Sequence, residues 1–103
     1  MHFLVKASIP VEVGNRKMRD GTLGATTDAI LKVAKPEAVY FSDVDGVRTI
    51  YTIMNVTDAG DLSPVLEAWY LGVSASVEVR MACTPEDMAK AGPKMPGVVT
   101  QFA

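Results

Sequence analysis

The dipeptide Asp45-Gly46 restricts this chain more than any other pair in it. It lies between Ala38–Ser42 and Val47–Val56, two runs rich in β-branched and aromatic residues, and closes the linker Asp43-Val44-Asp45-Gly46. Asp-Gly is what a tight antiparallel turn asks for, because such turns hold their central residues at positive φ. A hairpin is therefore expected in the middle of a 103-residue chain. A chain of that length hides only about two-thirds of its unfolded surface. It builds one core, and the segments on either side must pack against the hairpin.

Those segments mirror one another. His2 to Ile9 alternates, with Phe3, Val5, Ala7 and Ile9 on one face and Leu4, Lys6 and Ser8 on the other, until Pro10 ends the strand. From Val11 to Ala34 the period becomes helical and gathers Met18, Ala25, Ala29, Ile30 and Val33 on one side. Gly14, Gly21 and Gly24 each cost about 1 kcal/mol there relative to alanine, so packing rather than propensity must hold the helix. Pro36 terminates it. Beyond the hairpin a second helix starts near Asp58 or Asp61 and buries Leu62, Leu66 and Trp69. Pro64 favours the later start, since a proline in the first turn gives up only an N–H with no intrahelical partner.

Gly72 is expected to end that helix, and Ser74–Ala82 then sets Ala75, Val77, Val79 and Met81 against Ser74, Ser76, Glu78 and Arg80 as a fourth strand. Thr84-Pro85-Glu86-Asp87 combines a hydroxyl cap, a first-turn proline and two carboxylates near the positive end of a helix dipole. A short helix to Ala91 follows from it. Gly92, Pro93, Pro96 and Gly97 are expected to stop it, which makes residues 94–103 an extended tail.

The order β, α, β, β, α, β predicts a ferredoxin-like α+β fold over residues 1–93: a four-stranded antiparallel sheet, both main helices on one face, and a short extra C-terminal helix. The other face stays open. Parity places Leu4, Lys6, Ser8, Ser76, Glu78 and Arg80 on it.

Composition narrows the function classes. A net charge of -2 and a pI of about 5.2 carry no electrostatic footprint for nucleic acid. With 49% hydrophobic and 21% charged residues the chain is a packed globular one, yet no run nears the ~20 apolar residues of a membrane span. Cys83 stands alone, so no disulfide forms within the chain, which fits a reducing compartment. Met1–Val13 lacks the basic and apolar regions of a signal peptide. A cytoplasmic protein is expected.

Several short patterns invite chemistry and meet a plainer explanation. Asp43-Val44-Asp45-Gly46 opens like a calcium loop, but Met54 falls where the bidentate glutamate belongs, and a hairpin turn accounts for it. Gly21-Thr22-Leu23-Gly24 matches neither a dinucleotide nor a phosphate loop. Arg16, Lys17 and Arg19 read as a solvated helix face. Cys83 precedes a helix start, where a thiol is acidified, but has no base and orienting group in sequence and is expected to be buried. His2, the one histidine, defines no metal site and reads as a terminal residue without a role. Trp69 is expected in the core or an interface. Tyr40 and Tyr51 lie on strands, aimed into a cavity or half-buried.

Pro36-Glu37-Ala38-Val39-Tyr40-Phe41, Asp45-Gly46-Val47-Arg48-Thr49 and Thr84-Pro85-Glu86-Asp87-Met88-Ala89-Lys90-Ala91-Gly92-Pro93 resemble small bacterial proteins of the dimeric α+β-barrel type over residues 1–93. Some of those carry the label "panthothenate synthetase". A true pantothenate synthetase is a much larger nucleotide-binding enzyme with a His-x-Gly-His motif that this chain lacks. What the resemblance implies is an assembly, two open sheet faces meeting as a barrel, and no particular reaction.

The resulting expectation is a homodimeric small-molecule-binding protein. Lys6, Tyr40, Tyr51, Glu78 and Arg80 are its candidate ligand residues, its partners are a second copy and a small anionic molecule, and no cofactor or metal is implied. Two other readings stand beside it: a cofactor-independent oxygenase or isomerase that polarises an oxygenated substrate with the same residues, and a structural dimer that uses the apolar tail Val98, Val99 and Phe102. Lys6, Glu78 and Arg80 are expected together, either as a charged cluster by a dimer barrel or as an exposed ion-pair group.

Overall fold

The computed structural model describes residues 1–103. Four strands, β1 (His2–Ser8), β2 (Ala38–Val44), β3 (Val47–Asn55) and β4 (Ser76–Ala82), form one antiparallel sheet in the order β2-β3-β1-β4. Five helices accompany them: α1 (Val11–Asp20), α2 (Leu23–Ala34), α3 (Leu62–Val73), α4 (Pro85–Ala91) and α5 (Met95–Phe102). This is the ferredoxin-like arrangement, with a helical extension at the C-terminus.

The hairpin forms as its composition dictates. Asp45 and Gly46 take φ values of 52° and 77°, and the turn pairs Val44 with Val47. Two positive φ values in succession give the turn the twist of the strands it joins. β3 and β1 then lie at the centre of the sheet, and their helix-facing residues Val5, Ala7, Ile50 and Met54 are all buried. α2 contributes Ile30 and Ala34 to this core, and α3 contributes Val65, Trp69 and Val73. Trp69 has no exposed surface at all. Burial of a large apolar side chain contributes about 1.5–3 kcal/mol, so α3 is held mainly by this stripe.

The start of α3 follows the expected logic. Asp58 accepts a hydrogen bond from the Gly60 N–H at 2.8 Å and caps a 3₁₀ turn over Ala59–Asp61, after which Pro64 falls in the first turn of α3. Gly72, however, does not end the helix. It lies within the last turn, where a Cβ would come within 2.8 Å of Ile30 Cδ1 on α2. Its role is to let α2 and α3 approach, and Ser74, at φ 55°, makes the left-handed stop instead. Regular pairing of β4 therefore begins at Ser76 rather than Ser74.

Two further expectations are corrected. Residues 11–34 are two helices, because Gly21 turns left-handed at φ 79° and Thr22 donates its N–H to Asp20 Oδ1 at 3.0 Å. The break resets the helical phase. Ile30 is buried as expected, but Met18, Ala25, Ala29 and Val33 face solvent, and Leu23, Thr27, Ile30 and Ala34 form the inner stripe of α2. Residues 94–103 are not an extended tail: a 3₁₀ turn over Gly92–Lys94 leads into α5, in whose first turn Pro96 sits without conflict. α4 does end at Ala91, before Gly92 and Pro93, as expected, but Pro96 and Gly97 lie inside a new helix rather than an extended tail.

Candidate functional site

Pairing register determines which side chains share the open face, because directly opposed residues in an antiparallel sheet project from the same side. Tyr40 pairs with Tyr51, Tyr51 with Lys6, and Lys6 with Glu78. Four of the five candidate residues thus form one continuous row across all four strands. The next row reads Ala38, Ile53, Leu4 and Arg80, which sets the fifth candidate diagonally beside Lys6. Both rows are even-parity positions of β1, opposite in direction to the buried Val5 and Ala7.

Leu4, Lys6, Tyr51, Glu78 and Arg80 line a depression of about 260 Å³ in this face. The Glu78 carboxylate stands between the two cations, with Oε2 3.7 Å from Lys6 Nζ and Oε1 3.6 Å from Arg80 Nη2. Lys6 is the most enclosed of the three, its side chain 29% exposed against 55% for Glu78 and 71% for Arg80. Both distances exceed hydrogen-bond length, so the carboxylate is shared loosely, and exposed pairs of this kind are worth at most about 1 kcal/mol. Two cations face one carboxylate, leaving a surplus positive charge over an otherwise uncharged sheet centre. Tyr51 is half-buried, whereas Tyr40, on the edge strand, is 68% exposed. Tyr40 stands in the row without lining the depression.

Other sequence-level expectations meet different surroundings. His2 is not idle: its Nε2 lies 3.2 Å from Glu37 Oε2 and ties the start of β1 to the entry of β2. Cys83 is exposed, not buried, because it falls just beyond β4 where no helix covers the chain. No group of three His, Cys, Asp or Glu side chains gathers to hold a metal ion, and no helix is long and apolar enough to cross a membrane.

The largest cavity was invisible to the sequence pattern. A groove of about 430 Å³ opens between α1, α2 and the β2–β3 hairpin, with Ile9, Leu23, Phe41 and Ile50 as its apolar walls and Asp28, Asp43 and Arg48 among its polar lining. Arg48 is engaged, donating from Nη1 to Asn15 Oδ1 at 3.1 Å across the buried Gly14. The groove's lining includes Met18 of α1 and Leu23 of α2, on either side of the break at Gly21, and the signal for that break in the sequence was the cluster of glycines in residues 14–24.

No protein-family model matches this chain, and no curated protein sequence does. Among solved structures it is similar to the de novo designed protein Ferredog-Diesel, with a TM-score of 0.50 and 15% identity over 79% of this chain and 85% of that one. It is also similar to a formyltetrahydrofolate deformylase from Pseudomonas putida KT2440, with a TM-score of 0.48 and 13% identity over 80% of this chain and 29% of that one. The likeness to the design, at this identity, is one of fold, and the fold is ferredoxin-like.

Proposed function

We propose that the chain is a homodimeric small-molecule-binding protein of the dimeric α+β-barrel type, whose two open sheet faces meet and enclose an anionic ligand between them. The observation that carries this reading is the row Tyr40, Tyr51, Lys6 and Glu78, with Arg80 beside it, on a sheet face whose depression is lined by strand residues alone. Aromatic and aliphatic side chains on that face, Tyr51, Leu4 and Ile53, are partly buried within one chain and supply the apolar area that a second sheet would cover. Enclosure strengthens the surplus charge of Lys6 and Arg80, since a cation taken out of water seeks a counter-charge. A carboxylate or phosphate group on the ligand satisfies that demand while Tyr51 flanks its apolar part. A reducing cytoplasm suits the lone, exposed Cys83.

Titration calorimetry of the native chain, Lys6→Ala and Arg80→Ala against a panel of small carboxylates and phosphates tests the site. The native protein is expected to bind at least one of them about ten- to a hundredfold more tightly than either variant, the loss of one charge-assisted hydrogen bond of roughly 1.5–3 kcal/mol. Equal weak binding by all three proteins would remove the ligand site.

A further inference from the structure

α4, the turn over Gly92–Lys94 and α5 form an arm in which no residue is buried. Met88, Met95, Val98, Val99 and Phe102 recur on it at helical spacing and are between 46% and 77% exposed. Its helices have 7 and 8 residues, and isolated helices shorter than about 12–15 residues are marginal in water, so an apolar stripe of this length persists by packing on something. The molecule measures 59 Å along its long axis against 28 and 18 Å across it. Its radius of gyration of 17.2 Å exceeds the roughly 13 Å of a compact chain of this length, as it must if the arm stands away from the body.

The groove beside Phe41 has complementary properties. Its walls are apolar, two carboxylates, Asp28 and Asp43, line it, and its one cation, Arg48, is engaged by Asn15. After Asp87 the arm carries Lys90 and Lys94 and no acidic side chain. The arm leaves from β4 at one edge of the sheet, whereas the groove opens at β2, the opposite edge. Three strand spacings of about 4.8 Å separate those edges, and the helices pack over the face between them.

We propose that the arm docks in the groove of a second copy of this chain, laying Val99 and Phe102 against Leu23 and Phe41 and bringing Lys90 and Lys94 to Asp28 and Asp43. The contact is reciprocal in a two-fold pair, each chain giving one arm and receiving one. It does not depend on the anionic ligand, and its residues lie off the open sheet face.

Site-directed disulfide trapping on the full chain tests it. In a Cys83→Ser background, one chain carries Phe41→Cys and another Val99→Cys; all three positions are exposed in the single chain, and circular dichroism verifies that the variants fold. Under mild oxidation the mixture is expected to form a covalent mixed dimer at least tenfold faster than a control pair of Leu71→Cys with Val99→Cys. Lys94→Glu on the arm chain should slow trapping, and Asp28→Lys on the groove chain should restore it. Trapping no faster than the control overturns the proposal. So does rapid closure into a disulfide-linked monomer when both cysteines are placed in one chain, which would mean that the arm covers its own groove.

Discussion

At the scale of single residues, Trp69 carries the most weight. It is fully enclosed between α3 and the sheet, and its removal leaves a void that the close-packed Val5, Val73 and Met54 fill only in part. Trp69→Ala is expected to cost about 3–5 kcal/mol in a urea melt, and Trp69→Phe much less, since the indole N–H it removes meets no protein acceptor. A loss near zero for the alanine variant would place the indole outside the core. The burial of Trp69 was legible in the sequence because Leu62 and Trp69 hold one helical phase over an unbroken segment. Met18 and Val33 were misread by the same rule, because Gly21 and Thr22 shift the phase between them. A left-handed residue inside a periodic run is permitted by glycine but not required by it, so the position of the break is decided by tertiary packing.

Elements were legible where local chemistry leaves one solution. The Asp45-Gly46 turn and the Thr84 cap both formed as their residues specify. At the start of α4 the capping box is reciprocal: Asp87 Oδ2 accepts from the Thr84 N–H at 2.9 Å, and the Asp87 N–H donates to Thr84 Oγ1 at 3.1 Å. The backbone bond from Thr84, then the hydroxyl contact of the same residue, hold the Asp87 carboxyl below the usual carboxylate range. A pKa lowered in the folded state contributes stability above the unfolded value, about 3.9, and loses it as pH falls through the lower folded value. The helical circular dichroism of the native chain should therefore decline more steeply below about pH 4 than that of Asp87→Ala, which lacks this titration. Parallel curves would mean that the box does not hold the arm. The helical nature of residues 95–102 was not legible, because Pro96 and Gly97 read as stops unless a new first turn is already in place to receive the proline.

For the whole molecule, strand parity delivered the composition of the open face from sequence, since a period of two leaves no freedom once one face is buried. The register that lines Tyr40, Tyr51, Lys6 and Glu78 in one row was not accessible that way; it depends on how β1 slides against β3 and β4, which the core of Val5, Ile50 and Met54 determines. The groove beside Phe41 lay further still from the sequence, as its lining comes from both sides of a helix break and from an edge strand. The central claim is that the open sheet face is an interface in solution. Sedimentation of the native chain and of Ile53→Arg at micromolar concentration tests it most directly, because Ile53 is only half-buried in one chain and an arginine there is tolerated by a monomer but not by two apposed sheets. The account predicts a native species of twice the 11.0 kDa chain mass and a folded variant that dimerises far more weakly, held only by the contact of arm and groove. A native monomer, or a variant that dimerises as well as the native chain, would contradict it.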